Sequence, residues 1–248
     1  MSAKKYETYN EKYASAVNLL HLFVYHKDSR ELLYAYSSPG LKVTPYLTNS
    51  LLQSISMSIG MPVEFEEIYL QDDISLTLTD GIVTRIAVFS KNLPSIEMQK
   101  QILRFIDFFE ENFKDKIPEA VNDMNTVNRM INVDVANNLI EQCFEKSLTF
   151  PHIAQRPREN ETLTTVENRL HKVAYNLNEK SGPFLLGRLL ALAQMETGIT
   201  DLSNLIKLVF QLREKEALKP VLPEQAARLK EAMMREKFQT KKDLKVSK

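Results

Sequence analysis

One cysteine, six glycines and no tryptophan stand among the 248 residues of the chain, and each scarcity removes a class of protein. A single thiol, Cys143, builds neither an internal disulfide framework nor a cysteine-rich zinc site, and it fits a reducing compartment. Lone cysteines are most often small buried hydrophobes, so Cys143 reads as structural rather than nucleophilic. Six glycines are a poor inventory for loops that cradle phosphate. No charge of one sign is in excess: 32 Lys plus Arg balance 32 Asp plus Glu, so no global field draws the chain toward nucleic acid or an anionic membrane. No apolar run approaches the roughly 20 residues needed to span a bilayer, and the first five residues lead into Tyr6, Glu7, Tyr9 and Asn10 rather than an apolar core. The expectation is a soluble, cytoplasmic protein without a secretory signal.

The most legible stretch runs from residue 63 to residue 113. Segments 63–70, 74–79 and 82–89 read as strands, linked by Asp72-Asp73 and by Asp80-Gly81, and Asp-Gly between alternating apolar residues is a strong hairpin signal. Pro94 stops the last strand and Ser95 can cap a helix. On that helix Ile102, Phe105, Ile106, Phe109 and Phe113 recur at spacings of three and four, which puts them on one face against the sheet. Upstream, Tyr6, Tyr9 and Tyr13 suggest a short leading helix over 4–14. Residues 17–25 and 31–37 alternate as a second hairpin, and Thr48 or Asn49 caps a helix with Leu51, Leu52, Ile55 and Ile59 on one stripe, ended by Gly60. After Pro118 one helix is expected around Ala120, Met124, Val127 and Ile131. Another carries Val135, Leu139, Ile140, Phe144 and Leu148, with Asp134 or Asn132 as its cap.

The resulting order is strand, strand, helix, three strands, long helix: five strands in one antiparallel sheet with flanking helices, an α+β fold. In this order the chain resembles the longin-like and roadblock-like platform domains, including archaeal forms. The likeness rests on the hairpin 19–36, the helix 51–59, the meander 65–89 and the aromatic and acidic run 102–113, and it covers roughly residues 16–148. The resemblance implies a non-catalytic domain that dimerises or binds small GTPases, coiled-coil segments or trafficking and scaffold proteins. Longin domains usually begin almost at their first strand, whereas about 15 residues precede it here, which points toward the roadblock arrangement. The expected partner surface is a sheet edge with its neighbouring helix. The hairpin 17–37, with Leu20, Leu22 and Val24, and the helix serines Ser54, Ser56 and Ser58 are its candidate residues. The acidic run of Glu64, Glu66, Glu67, Asp72 and Asp73 reads as a solvated face that blunts the opposite edge.

Residues 1–150 are therefore assigned to the platform, 151–161 to a linker marked by Pro151 and Pro157, 162–236 to a helical, winged-helix-like module and 237–248 to a basic tail. In the module Thr164 and Glu167 have capping-box spacing, with Val166, Leu170, Val173 and Leu177 as the stripe. The helix 184–196, the turn Gly198-Ile199-Thr200 and a helix over 202–218 have the order of a helix-turn-helix, the second with Leu202, Leu205, Ile206, Val209 and Leu212 inward. As a DNA reader it is poorly equipped: it opens on Asp201 and offers Ser203, Asn204 and Lys207 before Gln211. A nucleic-acid-binding transcriptional regulator is nonetheless the rival function. Residues 182–188 have the glycine spacing of a phosphate loop, but Arg188-Leu189 stands where Lys and Ser or Thr are required. His21, His26, His152 and His171 have no ligand spacing, and His21 reads as a hydrogen-bonded structural residue. No catalytic residue, cofactor or metal ligand is singled out. The tail can contact an anionic surface, which adds peripheral membrane association to the expected cytoplasmic location.

Overall fold

The structure, a computed structural model, describes residues 3–57, 62–117 and 131–246, with side chains over 9–57, 62–117 and 131–235. The fold is α+β, with a five-stranded antiparallel sheet and, among the described residues, eight α-helices. The chain divides into two compact units, Glu11–Lys146 and a discontinuous one made of Met1–Asn10 with Ser147–Lys248. Helix α1, Ala3–Asn18, supplies residues to both.

The first unit is the platform. Its strands are β1 (Leu19–His26), β2 (Leu32–Ser37), β3 (Glu66–Tyr69), β4 (Ile74–Asp80) and β5 (Thr84–Lys91). They lie in the order β2-β1-β5-β4-β3, every neighbour antiparallel. Because side chains alternate across a strand, Leu22, Val24, Ile86 and Val88 share one face. There they meet helix α3 (Ile96–Phe113) through Ile102, Phe105 and Phe109, and α4 (Val133–Phe144) through Ala136, Ile140 and Phe144. Phe23, Leu76, Leu78, Ala87 and Phe89 share the other face with Leu47, Leu51 and Ile55 of α2 (Pro45–Met57). Ser95 caps α3, its side chain accepting from the Met98 N–H at 3.2 Å. Asn132 caps α4, accepting from the N–H groups of Asp134 and Val135.

The second unit holds β6 (His152–Ala154), α5 (Thr165–Ser181), α6 (Leu186–Thr197), α7 (Leu202–Glu214), β7 (Leu218–Pro220) and α8 (Pro223–Val246). Residues 149–161, which carry no apolar period, contain β6, and β6 pairs antiparallel with β7 from the far end of the unit. The capping box at the start of α5 is present in both directions, Thr164 with Glu167. Leu170, Val173, Ala174 and Leu177 of α5 are buried in this unit, as are Leu189, Leu190 and Ala193 of α6 and Leu205, Val209 and Leu212 of α7.

Several boundaries differ from those expected. Val17 ends up 45 % exposed inside α1, so the first strand starts at Leu19. Helix α2 begins at Pro45, whose fixed φ suits a first helical position, and Leu52 lies outside the stripe at 56 % exposure. Strand β3 is only four residues long. Helix α7 stops at Glu214 because Glu216 adopts a positive φ of 56° and Leu218 is drawn into β7, while Leu202 is exposed rather than inward. The expected helix at 120–131 lies outside the described residues except for Ile131, and so do Ile59 and Gly60 of the earlier one.

Candidate protein-binding surface

The strand order leaves two edges, β2 and β3, and their chemistry differs. Every residue of β2, Leu-Leu-Tyr-Ala-Tyr-Ser, is uncharged. Within it Tyr34 is buried, its hydroxyl donating to Asn137 Oδ1 of α4 at 2.6 Å. Leu32, Ala35 and Ser37 are exposed. Around β3 the chain is one-sided in charge: no Lys or Arg occurs between Lys42 and Arg85, and Glu64, Glu66, Glu67, Asp72 and Asp73 are all exposed. Tyr69 adds an aromatic ring at 61 % exposure. Helix α2 is tied to this side, since the Gln71 N–H donates to the Tyr46 hydroxyl at 3.3 Å.

The candidate contact residues fall on different surfaces. Leu22 and Val24 are fully buried in the layer beneath α3 and α4, so a partner reaches neither. Strand β1 is interior, and Leu20 is half-buried against the α2 layer. Ser54 is buried, donating to the Ser50 carbonyl at 2.8 Å; Ser56 is exposed; Ser58 lies outside the described residues. The near-continuous apolar run of β1, Leu19 to Tyr25 broken only by His21, is the pattern of a strand covered on both faces, and reading it as alternation hides that β1 is central.

Two polar clamps hold the platform rigid. Glu110 on α3 is 9 % exposed, and its carboxylate accepts from the N–H groups of Ile82, Val83 and Thr84 and from the Thr84 hydroxyl, at 2.7–3.0 Å. Asp80 binds Arg85 through two oxygens at 2.6 and 3.0 Å and accepts from the Val63 N–H. Burial alone would raise the Asp80 carboxyl, but the Arg85 and Val63 bonds and the Arg85 and Lys27 charges hold it below the usual range. His21 is structural, as expected. Burial lowers its pKa, and Nδ1 is 2.8 Å from Ser37 Oγ on β2. Cys143 is buried within the layer of α3 and α4, and burial pushes its thiol up to about 11, against the opposing Arg104 charge.

In the second unit, α6, Gly198 and α7 form the expected helix-turn-helix order, Gly198 sitting at a φ of 71° as the C-cap of α6. The stripe Ser203, Phe210 and Glu214 on α7 meets Tyr9 and Asn10 of α1. Asn10 donates to Ser203 Oγ at 2.6 Å, and Tyr9 packs its ring 4.7 Å from that of Phe210 and reaches Glu214. Tyr9 belongs to the tyrosine spacing that suggests a leading helix docked by its tyrosines, but no pattern names its seat about 200 positions away.

No protein-family model and no curated protein matches this chain.

Proposed function

We propose that the protein is a non-catalytic adaptor or regulator that binds other proteins through a longin-like or roadblock-like platform, with small GTPases or a trafficking complex as its partner class. The observation that carries the reading is the doubly covered sheet whose outer strands β2 and β3 pair with no further strand among the described residues, in the strand and helix order on which the resemblance rests. A sheet buried on both faces and clamped at its turns offers its edges, and an edge strand recruits a partner by main-chain pairing. The second unit supports the reading from another direction. A DNA-reading helix must place a free face in the major groove, whereas the Ser203, Phe210 and Glu214 stripe of α7 is engaged by Tyr9 and Asn10. The test is affinity capture from the native cell with the full chain, followed by reconstitution with purified small GTPases in each nucleotide state. Saturable binding that depends on nucleotide state supports the regulator role. Salt-dependent binding to duplex DNA with no protein partner reproduced would reverse the assignment in favour of the nucleic-acid reading.

A further inference from the structure

We propose that the cleft between α5 and the last turn of α6 is a binding site for a small zwitterion of the α-amino-acid class, whose carboxylate meets Arg169 and Lys172 and whose ammonium group meets Glu196. The site lies wholly within the second unit.

The sequence puts charges there and leaves them unspent. Residues three and four apart are neighbours on a helix, so Arg169, Lys172 and Asn176 form one row along α5. At those spacings neither Arg169 nor Lys172 has an acidic residue to neutralise it, and on α6 Glu196 has no basic one. The fold sets this row against the end of the neighbouring helix, where it lines a cleft of about 320 Å³ together with Val173, Glu196 and Thr197. Val173 is the buried apolar part of the lining, while Arg169, Lys172, Asn176 and Glu196 are exposed. None of those four side chains makes a hydrogen bond or an ion pair among the described residues. Opposite charges that line one cleft without closing on each other leave a gap that a bridging molecule can occupy. The Thr197 hydroxyl, by contrast, is already engaged, donating to the Ala193 carbonyl at 2.6 Å and accepting from the Ile199 N–H at 3.3 Å.

The division of charge selects the ligand. A helix end leaves its last four carbonyls without intrahelical partners and carries partial negative charge, and α6 ends here, at the C-cap Gly198. The α6 wall is therefore negative and the α5 wall positive. A simple anion such as phosphate gains from Arg169 and Lys172 but is opposed by Glu196 and the helix end, and a simple cation meets the reverse. A molecule carrying both charges is favoured at each wall. An α-amino acid holds them on either side of a single carbon, and its carboxylate suits the planar fork of an Arg. The volume stands at the lower limit of small-molecule sites, about 300–1,000 Å³, which fits an amino acid better than a nucleotide. Water screens the exposed charges, so the affinity expected is weak, in the submillimolar range.

The experiment is isothermal titration calorimetry on the full chain, with each standard α-amino acid singly and with inorganic phosphate. The best binder is then compared with its methyl ester and its N-acetyl derivative, each of which lacks one of the two charges. At least one amino acid should bind saturably, and either derivative should bind roughly fivefold or more weakly. Arg169→Gln and Glu196→Gln should each weaken the amino acid to a similar degree. Their circular dichroism should not change, because both side chains are exposed and make no bond within the fold. Absence of saturable binding by any amino acid, or binding that survives either substitution or the loss of either ligand charge, overturns the proposal. Phosphate that binds as tightly as the best amino acid, and is lost with Arg169→Gln but not with Glu196→Gln, overturns it in favour of a plain anion site. Partner capture by the same samples reads the adaptor function separately, since none of these residues belongs to the platform.

Discussion

Phe109 shows how much a single side chain can hold. It is fully buried on α3, with its ring 5.8 Å from Phe105, 4.8 Å from Phe113 and 6.0 Å from Tyr34 of β2. Phe109→Ala should cost about 3–5 kcal/mol from lost transfer energy and the remaining cavity, a large share of an ordinary domain's stability. A melting temperature shift of many degrees is the expected readout. In the other unit His152 is fully buried, with Nδ1 bonded to the Phe150 carbonyl and Nε2 without a partner among the described residues. Burial, then the Arg213 charge, lowers its pKa to about 4 from 6.5, against the pull of the Phe150 bond. Between those values the unfolded chain takes up a proton that the folded chain refuses. Stability is therefore full above about pH 6.5 and falls toward pH 4, by about 3 kcal/mol if this group acts alone. Urea unfolding at pH 7 and pH 5 should show the loss, and His152→Gln should flatten it.

Among the elements, α3 and the β4–β5 turn act as one piece through Glu110. Glu110→Gln keeps the shape but loses the charge behind four acceptances, and should cost about 1.5–3 kcal/mol. Hydrogen exchange at the amides of 82–84 should accelerate first. Gly81 belongs to the same device: an added Cβ would collide with the Glu110 carboxylate and Ile106, so Gly81→Ala should destabilise the same turn. The sequence reading found this hairpin through Asp-Gly, but the structural demand at Gly81 is close approach by α3, and its φ is not among the positive ones. Alternation and helical spacing were sufficient to locate β1, which starts two residues later than the alternation suggests, β2, β4, β5, α3 with its Ser95 cap, and α4, whose cap is Asn132 of the two candidates Asp134 and Asn132. They were insufficient for β6, whose three residues are too few to show a period, and for the extension of α1, where a polar sequence hides Ala16 in the core. The contact residues were less legible than the fold. Which strand stands at an edge is decided by pairing between distant segments, although the unbroken run Leu22-Phe23-Val24-Tyr25 is itself a mark of a strand covered on both faces.

For the whole molecule, electrical neutrality conceals a division. Glu11–Lys146 holds 12 Lys plus Arg against 19 Asp plus Glu, and the remaining residues hold 20 against 13. Limited proteolysis should release a stable fragment close to Glu11–Lys146, which should bind an anion exchanger at neutral pH, whereas the complementary residues should bind a cation exchanger. Failure to isolate any stable fragment of that size would show that the two units share one core. The discontinuity of the second unit has a consequence for how the chain is made. Tyr9 and Asn10 are added to the chain about 200 residues before Phe210 and Ser203, on which they settle. At about 5–20 residues per second, Tyr9 and Asn10 wait on the order of ten seconds or more for their seat, while the platform can already be complete. Order of synthesis and order of docking are therefore reversed for this segment: it is made before the platform and settles after it.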